Sequence, residues 1–229
     1  MNKIIICFCI LAICSFSASA QKLGYYREVS GNINYINQKA TGDEINMKLS
    51  GWTVDFRGGY SLLGSLFFQD TERKFFIGDH LGAGFGVGYI NGFADDIKYA
   101  LELSIEYGLK AAYSVDDDLE VGVKLLYHGN YFTNMGDGLG FGSKPAIMPS
   151  VRFKNIMGTV GFGKGLISTD GRQSDGSFFR AEGRLIFGDA GDGDTHTAIF
   201  LRAESITGKE HEEFKKQTAT QISFGFCIM

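Results

Sequence analysis

Two glycine-rich stretches have a spacing close to that of phosphate-binding loops. Residues 158–164, GTVGFGK, match most of a P-loop, but Gly165 stands where a Ser or Thr hydroxyl should bind magnesium. Residues 81–90, LGAGFGVGYI, fit the dinucleotide pattern G-x-G-x-x-G in no register. In the second stretch, and at Gly161, Gly163 and Gly165 in and directly after the first, the glycines instead recur at every second position, which is the period of a β-strand. We therefore expect a strand at each stretch, and no nucleotide or other cofactor.

The metal-ligating side chains do not have the spacing of a known metal site. Asp189, Asp192 and Asp194 could offer oxygens to calcium, but they do not follow the EF-hand spacing, and Asp and Gly are the usual turn residues. Three of the four cysteines fall in the N-terminal segment described next, which leaves Cys227 alone. A single cysteine forms neither an internal disulfide nor a thiolate metal site. We expect no metal.

Residues 1–20 predict a secretory signal peptide. Lys3 gives a basic start, residues 4–13 are an almost unbroken apolar run, and 18–20, Ala-Ser-Ala, supply the small residues that signal peptidase accepts. We expect cleavage before Gln21 and one mature domain, 21–229. Lipidation at Cys14 is disfavoured because Ile13 is bulky where a lipoprotein box needs a small residue.

The composition of the whole chain narrows its class. It has 32 Gly, 2 Pro and 14% aromatic residues, and a formal net charge of −4 without a basic patch, which argues against nucleic acid as a partner. After the leader, no apolar run is long enough for a transmembrane helix. The apolar residues must therefore alternate with polar residues over short intervals of the sequence.

The clearest periodicity lies in residues 97–115, IKYALELSIEYGLKAAYSV. Every odd position is apolar or aromatic, whereas the even positions carry charged or small residues. A helix would mix these residues around its surface, so the pattern predicts a strand. Its length is about 60 Å at roughly 3.3 Å per residue. Ordinary strands are much shorter, and such length is typical of membrane barrels. A polar turn at 116–118 then leads into a second strand.

Similar alternation predicts further strands along the chain. We expect ten, at 24–36, 46–62, 76–91, 97–115, 119–127, 146–154, 157–168, 177–188, 197–207 and 217–228. Eight or twelve strands are the alternative counts. Residues 63–75 do not alternate and could form a short turn or helix.

The connections between these strands predict two different ends of a sheet. Residues 92–96, 130–145, 169–176 and 208–216 would lie at one end, and 63–75, 116–118, 155–156 and 189–196 at the other. Outer-membrane barrels have long loops outside and short turns in the periplasm. We expect the first end to face outside.

Faces without charge on so many long strands need an apolar environment. The sequence predicts no helical layer that could cover them. Facing lipid solves this problem, provided that the sheet closes and leaves no edge amide unpaired. Aromatic residues near segment ends would then form interfacial girdles: Trp52, Tyr89, Tyr113, Tyr127 and Tyr131.

With this pattern the mature chain resembles the small outer-membrane β-barrel proteins of Gram-negative bacteria. The resemblance implies an all-β fold, a closed antiparallel transmembrane β-barrel of about ten strands, located in the outer membrane. It also implies contact with outer-membrane lipid and insertion by the barrel-assembly machinery. The chain departs from the family at its end, where a terminal aromatic residue is common. Here the apolar set ends at Ile228, and Met229 is one step out of phase.

The faces opposite the lipid are predicted to line a narrow lumen. Their charged residues would form ion pairs that fill the barrel, or else line a water-filled pore. These residues are Lys98, Glu102, Glu106, Lys110, Glu120, Lys124, Arg152, Arg180, Glu182, Arg184, Arg202 and Glu204. Inward glycines would leave space for long side chains from opposite strands: Gly82, Gly84, Gly86 and Gly88. We favour the filled lumen.

Three classes of function follow from this prediction. The first is a monomeric barrel with a structural or surface-interaction role through extracellular loops, whose ligand the sequence does not identify. The second is a porin-like pore or transporter for polar solutes. The third is an enzyme at the barrel rim, for which His128 with Ser143 or Asp137 would be the candidate group. Since no catalytic arrangement is evident, we expect no enzyme. A soluble β-sandwich is the alternative fold.

Overall fold

Ten long strands make up most of the described chain. The computed structural model describes residues 27–42, 46–61, 75–92, 99–116, 118–133, 138–169, 172–187, 196–208 and 215–229. The strands are β1 (Arg27–Thr41), β2 (Asn46–Tyr60), β3 (Phe75–Asn91), β4 (Ala100–Ser114), β5 (Leu119–Thr133), β6 (Gly138–Phe153), β7 (Ile156–Thr169), β8 (Arg172–Phe187), β9 (Thr197–Gly208) and β10 (Lys216–Ile228). Among the described residues, no helix is long and apolar enough to cross a bilayer.

The sheet closes on itself. Each strand pairs antiparallel with its neighbours in sequence, and β1 pairs with β10 from Val29 opposite Ile228 to Thr41 opposite Lys216. Closure gives every strand two partners, so no strand edge presents unpaired amides to lipid. The predicted closed antiparallel barrel of ten strands is confirmed.

The two ends of the barrel differ from the predicted arrangement of long loops and short turns. At the end where β1 begins and β10 ends, here called the terminal end, the connections are 61–74, 115–118, 154–155 and 188–196. At the opposite end, here called the distal end, they are 42–45, 92–99, 134–137, 170–171 and 209–215. Connections were placed at the correct ends, but the expectation of longer distal loops is wrong because strands continue into the segments predicted as loops.

Two strands extend furthest beyond their predicted bounds. β5 continues to Thr133 and β6 begins at Gly138, within the predicted connection 130–145. The register of β6 shifts between Ser143 and Ala146, next to Pro145. Such an irregularity moves the inward set from odd to even positions. The alternation therefore breaks in the sequence although the strand continues. β8 likewise begins at Arg172, inside the predicted connection 169–176.

Local chemistry fixes the two tight turns at the terminal end. The Asp116 carboxylate accepts hydrogen bonds from the backbone N–H groups of Asp118 and Leu119, at 2.9 and 2.8 Å. This arrangement is how Asp commonly closes a turn. In the turn between β6 and β7, Lys154 has a φ of 52°. Its backbone N–H donates to the carbonyl of Asp118, which ties the two turns together.

The polarity of the two sheet faces inverts along the strands. Toward the terminal end, outward side chains are apolar and inward ones are polar, as on β10 with Ile222, Phe224 and Phe226 outside and Gln221 and Ser223 inside. Toward the distal end the outward side chains of β10 become polar, with Thr218 and Thr220 outside, and Ala219 lies inside between Gln217 and Gln221. β1, β2, β8 and β9 show the same reversal, with Ile36, Leu49, Phe178 and Ile206 facing inward. The sequence analysis did not predict this inversion.

Aromatic residues lie at the distal boundary of the apolar outer surface on one side of the barrel. Trp52 is directly opposite Tyr35 on β1 and Tyr89 on β3. The rings of Tyr35 and Trp52 have centroids 5.0 Å apart. Tyr127, predicted to lie in a girdle, is instead directly opposite Tyr107 in the middle of both strands. Its predicted strand end at 127 was too early.

Several predictions lie outside the described residues. These are the signal peptide 1–20, nearly all of segment 63–75, the acidic run Asp189 to Asp194, Lys98 and Asp137.

The inversion predicts opposite tolerance of charge at two outward positions of β10. We expect Phe224→Arg to destabilise the barrel in lipid by about 2–4 kcal/mol, because it places a charge against hydrocarbon. Thr218→Arg should change stability by less than about 0.5 kcal/mol, since that position lies outside the hydrocarbon of the membrane. Urea unfolding in phospholipid vesicles measures both. Equal costs for the two substitutions would contradict the inversion.

The charged lumen as candidate functional site

Arg180 is the centre of the largest group of inward charges. Its Nη1 lies 3.1 Å from Glu106 Oε2 on β4, and its Nε lies 2.8 Å from Glu204 Oε1 on β9. Glu106 also accepts a hydrogen bond from Lys124 Nζ at 2.5 Å. His128 Nε2 lies 3.6 Å from Glu204 Oε2. Since β4 and β8 are far apart in the ring, the Arg180 side chain crosses the lumen.

A second group connects β1, β2 and β4. Arg57 Nε donates to Asp55 at 2.6 Å, and Arg57 Nη2 donates to Glu102 at 3.3 Å. The Thr53 hydroxyl donates to Glu102 at 2.5 Å, and Asn34 Nδ2 donates to the same carboxylate at 3.2 Å. Asp55 and Glu102 are both fully buried. Buried carboxylates are tolerated only when cations and donors surround them in this way.

A third group lies nearer the terminal end. Arg184 contacts Glu28 at 2.9 Å and Glu182 at 2.5 Å, and Arg202 contacts Glu182 at 2.5 Å. Both guanidinium groups lie over the ring of Phe200, with distances of 5.6 and 5.1 Å to its centroid. The cations therefore have aromatic as well as anionic partners.

The predicted inward charges all lie on the inward face where the structure describes them. Lys98 alone among the predicted set lies outside the described residues. Lys110 pairs with Glu120 at 3.3 Å, beside the three groups. Arg152 is at the end of β6, opposite Glu120, and its Nε donates to the carbonyl of Lys154 at 2.9 Å. Arg152 thus stabilises a turn rather than filling the lumen.

The sequence analysis missed the contribution of β1 and β2. Asp55, Arg57 and Glu28 belong to the ion-pair groups, and Asn32 Nδ2 donates to Asp55 at 2.5 Å. A signal was present, because Asp55 and Arg57 alternate with apolar residues in 54–57, VDFR. The inward positions of β1 are occupied by serine and asparagine. These residues are also common in turns, so their polarity alone does not identify the inward face of a strand.

Inward apolar side chains fill the distal part of the lumen. They form a buried cluster, here called the apolar plug: Ile36, Leu49, Ile90, Ala100, Leu126, Phe132, Leu139, Phe141, Ala146, Met148, Ile167, Phe178, Ile206 and Ala219. The rings of Phe132 and Phe141 stack with centroids 5.7 Å apart. The expectation of a lumen filled by charge therefore applies only toward the terminal end.

The inward glycines of β3 lie against the adjacent strand rather than against opposite strands. Gly84 is directly opposite Arg57, and Gly86 is directly opposite Asp55. A Cβ added at Gly84 would lie 2.6 Å from Arg57 Cγ, and one at Gly86 would lie 2.6 Å from Asp55 Cβ. The glycines do leave space for a long side chain, that of Arg57. However, Arg57 belongs to the adjacent strand β2 and not to a strand on the opposite side of the lumen. A Cβ added at Gly82 would lie 3.0 Å from His80 Nε2, and one at Gly88 would lie 2.2 Å from the Trp52 carbonyl oxygen.

A small cavity lies between the second and third groups. Its volume is about 40 Å³, and Ser30, Arg57, His80, Ser104 and Arg202 are among its lining residues. That volume is sufficient for a few water molecules. Water in this cavity would hydrate the charged side chains that line it.

The candidate catalytic group does not lie at a rim. His128 is buried within the lumen beside Glu204. Ser143 is directly opposite His128, but its hydroxyl donates to the carbonyl of Leu126 at 3.4 Å. Both side chains lie next to the apolar plug, where a substrate at the barrel mouth would not contact them.

Comparison with known proteins gives structural neighbours only. No protein family and no curated protein matches the chain. Among solved structures, the chain is similar to neisserial surface protein A (NspA), with 10% identity, 88% of this chain and 96% of that chain covered, and a TM-score of 0.36. It is also similar to the translocator domain of autotransporter NalP from Neisseria meningitidis, with 11% identity, coverage of 97% and 95%, and a TM-score of 0.32. A mutant of the TodX monoaromatic hydrocarbon channel has 9% identity, coverage of 92% and 91%, and a TM-score of 0.32.

The fold itself follows from the geometry of this chain. Ten antiparallel strands close into a ring, large apolar side chains cover its outside, and ion pairs lie within. This is the architecture of a small transmembrane β-barrel of the outer-membrane type.

The close contacts at Gly86 predict a position-specific effect of side-chain size. We expect Gly86→Leu to reduce folding yield strongly, because the new side chain meets Asp55 and the Val54 carbonyl, and overpacking costs about 1–3 kcal/mol or more. Gly183→Leu is the matched control, since a Cβ at Gly183 has no heavy atom within 4 Å. Heat-modifiable migration on gels measures the folded fraction. Equal yields for both variants would be inconsistent with a packing role for Gly86.

The Arg180 contacts predict that buried ion pairs contribute more to the free energy of unfolding than exposed ones do. We expect Arg180→Met to destabilise the barrel by about 3–5 kcal/mol, because Glu106 and Glu204 lose their shared cation. Lys144→Gln is the control, since Lys144 pairs with Asp175 on the exposed outer surface and should contribute less than about 1 kcal/mol. Urea unfolding in vesicles compares the two. A small loss for Arg180→Met would show that the network is not structural.

Proposed function

We propose that this protein is a monomeric outer-membrane barrel that conducts no solutes and acts through its outer surface at the distal end. The observation that carries the proposal is the inversion of polarity along the strands. It gives the barrel a lipid-facing zone with a charged interior and a water-facing zone with an apolar interior.

The outer surface of the lipid-facing zone supports placement in a membrane. Large apolar side chains are exposed there, among them Trp52 at 59%, Phe56 at 60% and Ile105 at 60%. Monomeric soluble proteins rarely expose contiguous apolar patches of more than a few hundred Å². Lipid removes that cost. The predicted signal peptide 1–20 and insertion by the barrel-assembly machinery belong to the same proposal, because such a barrel must first cross the inner membrane.

The filled lumen supports a barrel without a substantial pore. Arg180 in the charged groups and Phe132 in the apolar plug are among the largest fully buried side chains. Side chains that line a water-filled passage would be exposed to water. Asn130 Nδ2 also donates to Gln221 across the lumen at 2.6 Å, and β5 and β10 lie on opposite sides of the ring. The walls are thus joined through the interior.

The distal outer surface supports a role at the membrane–water boundary. The polar outward residues on five strands form a continuous surface, here called the collar: Asn37, Lys39, Lys48, Ser50, Gln173, Asp175, Ser177, Ser205, Thr207, Lys216, Thr218 and Thr220. The collar is made of hydrogen-bonded strands that enclose the apolar plug. We therefore assign the interaction role to this rigid surface, in addition to the extracellular loops.

Planar bilayer recordings test the absence of a pore. We expect the purified full mature chain to produce no stepwise current, because the apolar plug and the ion pairs fill the lumen. The recordings need proof of insertion, which protease protection of the same bilayer-incorporated sample supplies. Reproducible single-channel steps from inserted protein would overturn the closed-lumen function and favour the pore.

A further inference from the structure

Lys39 and Lys48 form an unusual pair on the collar. They are directly opposite each other on β1 and β2, and both side chains are exposed on the outer surface. Like charges at directly opposite positions of two strands repel each other and destabilise the pairing. A pair of this kind is favourable when an anion lies between the two ammonium groups.

Within the described chain, neither lysine has an acidic partner. Two other outward lysines differ in this respect. Lys144, on β6, pairs with Asp175 at 2.5 Å, and Lys154, at the terminal end, lies 3.9 Å from Asp118. Among the described residues, Lys39 and Lys48 are therefore outward cations without an ion-pair partner that lie directly opposite each other.

The two lysine side chains lie on the water side of the aromatic rings, from where they can reach toward the lipid headgroups. Along the strands, Lys39 and Lys48 follow Tyr35 and Trp52 by two outward positions, about 13 Å at roughly 3.3 Å per residue. Tyr and Trp rings lie at the headgroup level of a bilayer. Lysine side chains are long enough to place their ammonium groups among the headgroups while their stems lie along the sheet.

Charge on the exposed outer face of the described strands is mostly positive in this region. The exposed outward cations at the distal end are Lys39, Lys48, Lys144, Lys164 and Lys216, and the exposed outward acid is Asp175. Basic residues close to a membrane surface attract anionic lipids. A phosphate-bearing headgroup supplies the anion that the lysine pair lacks.

We propose that Lys39 and Lys48, together with the rings of Tyr35 and Trp52, form a binding site for a phosphate-bearing lipid of the leaflet at the distal end. This site rests on the membrane placement in the proposed function. The ammonium groups contact the phosphate oxygens, and the exposed Trp52 ring packs against the part of the lipid that joins the headgroup to the acyl chains.

Trp52 provides a direct measurement, because it is the single tryptophan of the chain. The full mature chain is folded in neutral detergent and titrated with bisphosphorylated lipid A, while Trp52 emission is recorded. We expect a saturable change in emission. Dephosphorylated lipid A should bind on the order of tenfold more weakly, since each basic residue near an anionic surface contributes roughly a several-fold effect. Inorganic phosphate at the same concentrations should not compete, which distinguishes a lipid site from a free-phosphate site.

The variant K39Q/K48Q tests the assigned residues. We expect its affinity for bisphosphorylated lipid A to fall about tenfold, to the level of the dephosphorylated lipid. K144Q/K154Q removes the same number of charges from lysines that already have acidic partners, and should bind as the wild type does. Heat-modifiable migration shows that each variant is folded.

Two results would overturn the proposal. The first is a wild-type barrel without preference for the phosphorylated lipid. The second is an equal loss of affinity in both double variants. If the wild type does not insert into membranes at all, the proposed function fails instead, and this outcome is recognised by flotation with vesicles.

Discussion

The single closed sheet of this protein must be stable in contact with both lipid and water. Backbone hydrogen bonding requires the ten strands to close, because an open edge in hydrocarbon would leave amides without partners. Once the sheet is closed, each strand has one face inside and one outside for its whole length. β1, β2, β8, β9 and β10 are longer than the apolar surface that they carry, so these strands pass from lipid into water. The inversion of polarity follows from this constraint, since the outer face must change from apolar to polar at the boundary and the interior changes in the opposite sense.

The two halves of the interior are therefore stabilised by different forces. At the distal end the apolar plug is a hydrophobic core, as in a soluble barrel, where burial from water contributes most of the stability. Toward the terminal end the lumen contains Arg180 and its carboxylate partners, whose net contribution is small because desolvation opposes attraction. Their main effect is specificity. Arg180 joins β8 to β4, and Asn130 joins β5 to β10, so only one register of the ring pairs all these groups.

Sequence reasoning predicted the fold wherever the period of two was uninterrupted. Residues 97–115 predicted β4, and the inward phase of Glu102, Glu106 and Lys110 followed directly. It failed at the distal ends for a physical reason. The shift between Ser143 and Ala146 changes which positions face inward, and apolar residues such as Phe178 occupy the inward phase there. The predictions assume that each face of a strand meets the same environment along its whole length. Under that assumption, a change in the inward positions and an apolar residue on the inward face both look like the end of a strand. The partners of the charges could not be predicted either, because they depend on which strands lie across the ring.

The position of the inversion on each strand is the most direct test of this account. Nitroxide labels at outward positions 218, 220, 222, 224 and 226 of β10, in vesicles, report accessibility to oxygen and to a water-soluble nickel complex. We predict nickel accessibility at 218 and 220 and oxygen accessibility at 222, 224 and 226. Labels at inward positions 219 and 221 should be accessible to neither reagent. Nickel accessibility at 219 or 221, or a continuous profile without a change between 220 and 222, would contradict a barrel whose interior is filled and whose outer surface crosses from lipid into water.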